Sequence, residues 1–218
     1  EVAHAEAVEG PRSADVGGDP FGVGVSDRRE AQGSLVADGF CVLLRGGFGI
    51  GEVFIAAGQS NSANHGQPAQ APADHRVCAT NGTTWGPAAD PQPIATGNGG
   101  TPWPALGDIL AERYDMPIGF ISVGWGGTRV DQWLPGIDET LFSRIQLALD
   151  SLGLHGARAV LWHQGESNAA NRTPAETYVE QMSAVIEGSR EHAGWDIPWG
   201  VARVSFLPGL RPEAMAAI

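Results

Sequence analysis

The chain has 218 residues, enough for one domain with a sizeable core or one domain and a small appendage. Apolar residues make up 42% of it and charged residues 17%, the balance of a globular protein rather than a disordered one. Asp and Glu (25) outnumber Lys and Arg (13) for a formal net charge of -12, with no basic stripe, so no nucleic-acid or membrane partner is expected. No apolar run approaches the roughly 20 residues that span a bilayer.

Residues 1–50 carry few signals. Gly17-Gly18-Asp19-Pro20 marks a turn, Leu35–Leu44 has β character, and Gly46-Gly47 with Gly49 and Gly51 reads as a linker or hairpin. We take 1–50 as an N-terminal segment, the remnant of a β-rich accessory domain, and 51–218 as the main domain. Its first clear element is a strand, Val53–Ala57, which stops at Gly58, and Ser60 follows two residues later. Residues 58–100 read as one long loop rich in Asn, Pro, Gly and Ala, a length that compact domains keep for function. A helix is predicted over Pro102–Tyr114, with Thr101 as N-cap and Pro102 in its first turn. The strand Ile118–Val123 then runs into Gly124-Trp125-Gly126-Gly127. Thr140–Leu152 is an amphipathic helix with Leu141, Ile145, Leu149 and Leu152 on one face.

A third strand, Ala157–Trp162, leads into His163-Gln164-Gly165-Glu166. Thr173 and Pro174 open a helix that runs to about His192, Trp199–Phe206 is a fourth strand, and Arg211–Ile218 opens a further helix. Apolar strands separated by helices predict a parallel sheet covered on both faces. Right-handed crossovers would bring the polar clusters after the first three strands to one edge.

Acyl transfer needs a nucleophile, a base with an orienting acid, and donors for the developing oxyanion. Ser60 is the candidate nucleophile. Gly126 or Gly127 can present an unobstructed backbone N–H, and the Gln164 amide is a further donor. Glu166 can orient a base or bind a substrate hydroxyl. Each residue also has a plainer reading: a serine after a strand is usually a turn residue, and a lone glutamate is usually a solvated or capping carboxylate. Asn168 and Asn171 read as caps and turn formers, and Arg129 with Asp131 as a local ion pair. Of Trp85, Trp103, Trp125, Trp133 and Trp162, most should be packing and one or two sugar contacts. The scattered histidines lack zinc spacing and no Gly-x-Gly-x-x-Gly is present, so neither metal nor cofactor is expected. Cys41 and Cys78 read as ordinary thiols.

Gly58-Gln59-Ser60-Asn61, Gly126-Gly127-Thr128 with Trp133 downstream, and Trp162-His163-Gln164-Gly165-Glu166-Ser167 resemble three consecutive blocks of one family. It is the sialate O-acetylesterase-like branch, or carbohydrate esterase family six, of the SGNH hydrolases, and the resemblance covers roughly residues 50–210. It implies a three-layer, flavodoxin-like α/β/α fold and metal-independent removal of acetyl groups from sugars. Ser60 would be the nucleophile. Its own N–H and that of Gly126 would line the oxyanion hole with Gln164 as third donor, and Glu166 is a secondary candidate for the triad acid. Asn61, Gly127, Trp125 and His65 are the expected substrate contacts.

The family's catalytic histidine belongs to a block after the last strand, and no Asp-x-x-His occurs downstream of Glu166. That block is expected beyond residue 218, so the domain is expected to be C-terminally truncated and to have little esterase activity by itself. His163 reads as a packing residue or one behind the reacting groups. The expected function is a serine esterase removing O-acetyl groups from an acetylated sugar, xylan or sialic acid. The alternative is a non-catalytic or degenerate carbohydrate-binding module of the same fold. A lipase-like esterase is disfavoured by the Asn- and Gly-rich loop. A polysaccharide substrate favours a secreted or periplasmic location over a cytoplasmic one.

Overall fold

A computed structural model of the protein describes residues 40–44, 47–136 and 139–205. The strands among them are β1 (Phe40–Leu44), β2 (Gly47–Gly58), β3 (Val77–Thr80), β4 (Trp85–Pro87), β5 (Ile118–Ser122), β6 (Ala159–His163) and β7 (Trp199–Ala202). The helices are α1 (Trp103–Tyr114), α2 (Glu139–Leu152), α3 (Glu166–Ala170) and α4 (Ala175–Ala193). The strands form one sheet in the order β4-β3-β5-β2-β6-β7, with β1 paired to β2. The pairs β3–β5, β5–β2, β2–β6 and β6–β7 are parallel, whereas β4 lies antiparallel at an edge and β1 forms an antiparallel hairpin with β2.

The strand period of two explains the layers. Along β2, Ile55 and Ala57 face one side and pack with Val160 and Trp162 against Phe142 and Ile145 of α2 and Tyr178, Met182 and Val185 of α4. Ala56 faces the other side, where Phe120 and Val77 pack against Trp103 and Ala111 of α1. The result is the α/β/α sandwich expected from the sequence, with a parallel sheet at its centre. Burying each of the larger of these side chains contributes roughly 1.5–3 kcal/mol before chain entropy is counted.

Residues 58–100 depart from the expected single loop, because they contain β3 and β4, which extend the sheet beyond β5. Val77–Thr80 is fully buried but only four residues long, too short to show a period. β4 is three residues ending in Pro87, as suits an edge strand. Helix α1 begins one residue later than predicted, with Pro102 rather than Thr101 at the cap. Helix α4 likewise follows Pro174 rather than Thr173. The short helix α3, directly after the third polar cluster, was not anticipated. β2 runs from Gly47 across the 50/51 boundary. Residues 1–39, the Gly17–Pro20 turn among them, and the helix expected over Arg211–Ile218 lie outside the described residues. No helix among the described residues is long and apolar enough to cross a membrane.

Candidate active site

β5 and β6 flank β2 on opposite sides, so the carboxyl end of β2 lies where the sheet order diverges, the usual ligand crevice of an open α/β sheet. The chain leaves β2 through Gly58 at φ 122°, and a Cβ there would come within 2.3 Å of the His163 carbonyl oxygen on β6. Only glycine fits that approach. Gln59 then donates its N–H to the same His163 oxygen at 3.0 Å, and the Trp125 N–H reaches the Gly58 oxygen at 2.9 Å. Three strand ends are thereby stitched to one turn.

Ser60–Ser62 is a 3₁₀ turn closed by the Ser62 and Ala63 N–H groups on the Gln59 oxygen, at 2.9 and 3.1 Å. Below it, the buried Trp103 indole donates to the Ser62 oxygen at 2.9 Å. Ser60 is half-buried, and neither its hydroxyl nor its N–H has a hydrogen-bond partner among the described residues. An unsatisfied N–H at the start of a helical turn is a donor that an anion can use.

Ser60 opens onto a cavity of about 640 Å³. Asn61, Gln67, Gln70, Thr101, His163 and Glu166 also line it, and Ser205 contributes from beyond β7. Glu166 is 5% exposed, and its Oε1 accepts a hydrogen bond from the Asn61 amide. His163 Nε2 stands 3.9 Å from the same oxygen. Glu166 Oε2 is buried with no hydrogen-bond partner among the described residues.

Two of the lining segments, at Gln70 and Thr101, are held by Asp90. One of its oxygens accepts the Gln70 and Thr101 N–H groups at 3.1 and 2.8 Å; the other accepts the Thr101 hydroxyl at 2.7 Å and the Gln92 amide at 3.1 Å. Nothing in the sequence reading singled out Asp90. Its place before Pro91, with Thr101 before Pro102, was the available signal, since residues before proline favour turns.

Gln164 differs from expectation. It is 1% exposed, and its amide does not face the cavity. Nε2 lies 2.7 Å from Asn168 Oδ1, 2.9 Å from the Thr128 oxygen and 3.1 Å from Gln59 Oε1. Its carbonyl oxygens accept the Tyr178 hydroxyl at 3.0 and 3.1 Å. Burial pushes the Tyr178 hydroxyl above its ordinary pKa, so it stays a donor. With two amide hydrogens and three acceptors already around it, Gln164 has none left for a substrate oxygen. It ties the three motifs together from beneath: Gln59 belongs to the first, Thr128 to the second, Asn168 to the segment after the third. Asn168, read as a cap, is in fact a buried bracket that also accepts the Val130 N–H at 2.9 Å.

The remaining candidates stand beside the cavity rather than on its wall. The Gly126 N–H donates to the Thr96 hydroxyl at 2.8 Å, so an oxyanion could use it only if Thr96 turned away. The His65 ring covers Gly126 so closely that a Cβ there would lie 2.5 Å from Nε2, and Nε2 itself is 3.4 Å from the Thr96 hydroxyl. Gly127 has φ 76° and open space where a Cβ would be. Trp125 is 41% exposed with the Arg144 guanidinium 4.9 Å from its ring centroid. Arg144 is itself fixed by the Val123 and Ile94 carbonyls. Trp103, Trp133 and Trp162 are core residues at 5, 0 and 1% exposure. Arg129 and Asp131 form the expected local ion pair at 2.7 Å. Among the described residues no group of three or more His, Cys, Asp or Glu is arranged to hold a metal ion.

Residues 50–207 match the family model described as carbohydrate esterase, sialic acid-specific acetylesterase. The chain belongs to this family. Among solved structures it is similar to a protein from Arabidopsis thaliana, with 23% identity and a TM-score of 0.63 over 76% of this chain and 79% of that one. It is also similar to a carbohydrate acetylesterase from Xanthomonas citri, with 23% identity and a TM-score of 0.51 over 73% of this chain and 44% of that one. At these identities the two structures support the fold alone. No curated protein matches the chain.

Proposed function

We propose that the protein is a serine esterase that removes O-acetyl groups from carbohydrate, with Ser60 as nucleophile. The observation that carries this reading is the unengaged Ser60 hydroxyl, held on a rigid turn at the wall of a polar cavity. Ser60 Oγ attacks the acetyl carbonyl, and the negative oxygen that develops is received by the unpaired N–H of Ser60. The hydroxyl proton passes through a general base to the sugar oxygen as the ester C–O bond breaks, leaving an acetyl-serine. Water then attacks the acetyl-serine, releases acetate and returns the proton to Ser60.

The cavity size lies within the usual range of small-molecule sites, larger than an acetyl group requires. The amides of Gln67 and Gln70 and the hydroxyls of Thr101 and Ser205 suit a sugar ring better than a long acyl chain. Glu166 is the acid that orients the base, its free Oε2 being the acceptor. A polysaccharide substrate favours a secreted or periplasmic location over a cytoplasmic one. The test is acetate release from acetylated xylan and from O-acetylated sialic acid by the full-length protein. Ser60→Ala should abolish turnover with both while shifting Tm by no more than about 2 °C, because the hydroxyl makes no hydrogen bond among the described residues. Undiminished turnover in Ser60→Ala rules the reading out.

A further inference from the structure

We propose that Asn61 is a positioning residue for the Glu166 carboxylate rather than a substrate ligand, a role that rests on the esterase reading above. The two chain neighbours of Ser60 grip the first two residues of α3. Gln59 Oε1 accepts the Ser167 N–H at 3.2 Å, and the Asn61 amide donates to Glu166 Oε1. Ser60 is thus bracketed between two side-chain contacts that cross from the β2 turn to the β6–α3 turn.

Glu166 is nearly excluded from water, its side chain 7% exposed, and a carboxylate there must find donors inside the protein. At 3.9 Å, His163 Nε2 is beyond hydrogen-bond length, and Oε2 has no partner. Asn61 therefore supplies the one direct hydrogen bond to the carboxylate among the described residues. By holding Oε1 it stops the carboxylate rotating. Because Asn61 is peptide-bonded to Ser60, the same contact fixes the spacing between nucleophile and acid. An Asn61 that contacted sugar instead would act on substrate affinity and would be indifferent to the chemistry at position 166.

A double-mutant cycle separates the two roles. In the full-length protein acting on acetylated xylan, Asn61→Ala is expected to lower kcat roughly 10- to 100-fold with KM within about twofold, the signature of misplaced reacting groups. In a Glu166→Gln background the same substitution should cost less than about threefold more, since the group it positions has gone. Asn61→Asp should be slower than Asn61→Ala, because it sets a second carboxylate against Oε1. If Asn61→Ala does not fold, Asn61→Ser takes its place with the same expected outcomes. The proposal is overturned if the losses multiply in the double variant, if KM rises at constant kcat, or if Asn61→Asp matches the wild type. Ser60→Ala run alongside keeps the two readings apart: turnover that survives it sinks the esterase reading, whereas Ser60-dependent turnover with a multiplicative cycle sinks only the Asn61 role.

Discussion

Gln164→Glu replaces one NH₂ group by oxygen and changes almost nothing in shape, so it isolates what the buried amide does. In the protein that NH₂ faces three acceptors, on Gln59, Thr128 and Asn168. Gln59 Oε1 and Asn168 Oδ1 keep second donors, the N–H groups of Ser167 and Val130. The Thr128 oxygen is left facing a like partner. An orphaned buried acceptor costs about 1–3 kcal/mol and each of the two lost partial contacts about 0.5–1 kcal/mol, so the ionised variant should lose at least about 2 kcal/mol. In a domain of this size that corresponds to a fall in Tm of at least about 4–8 °C.

The pH dependence has a definite sign. Burial among acceptors raises the folded-state pKa of the introduced carboxyl above its unfolded value of about 4.3, because only the protonated acid can donate. The folded variant then binds more protons than the unfolded chain, so its deficit relative to wild type is smallest below about pH 4.3 and widens as pH rises through the raised pKa. Urea unfolding of both proteins between about pH 4 and 8 measures this, with the difference in midpoint expected to grow towards neutrality. A constant midpoint difference near zero, with only kcat reduced, would refute the buried-bracket role and restore Gln164 as a donor to substrate.

Gly58→Ala should destabilise by more than about 3 kcal/mol, combining a left-handed backbone with a clash on the His163 carbonyl, and should slow turnover by displacing Ser60; chemical denaturation and ester hydrolysis together check it. Asp90→Ala removes the anchor of the lining segments at Gln70 and Thr101, so KM should rise several-fold with kcat less affected, alongside a stability loss of about 2–4 kcal/mol. An unchanged KM would mean those segments do not meet the substrate. Tyr178→Phe should cost about 1 kcal/mol at neutral pH through its lost bond to Gln164. Because the folded-state pKa of Tyr178 is raised, the wild type should lose its contribution as pH climbs above about 10, and the gap to the variant should narrow there in thermal melts.

The sheet centre was legible because its strands are apolar runs bounded by glycine: Val53–Ala57, Ile118–Val123 and Ala157–Trp162 all fall on or within two residues of observed strands. β3 and β4 were not, for a physical reason. Their burial comes from tertiary neighbours, as where Trp85 packs over Gly119, rather than from any internal periodicity. The same holds for α3, whose five residues are placed by Gln59 and Asn168 at the turn and not by helix propensity.

Within the site, sequence motifs indicated which residues gather but not which way their side chains point. Gln59, Gln164 and Asn168 carry amides that look reactive in a motif, yet amides can donate and accept at once without charge, which makes them the natural brackets between buried loops. Ser60 offers a hydroxyl with no internal partner, and Glu166 a carboxylate with one bonded oxygen and one left open. Buried amides and the Asp90 carboxylate hold the loops, while Ser60 and Glu166 line the cavity. Burying an unsatisfied polar atom opposes folding by about 1–3 kcal/mol, so a donor brought to Glu166 Oε2 would recover that cost.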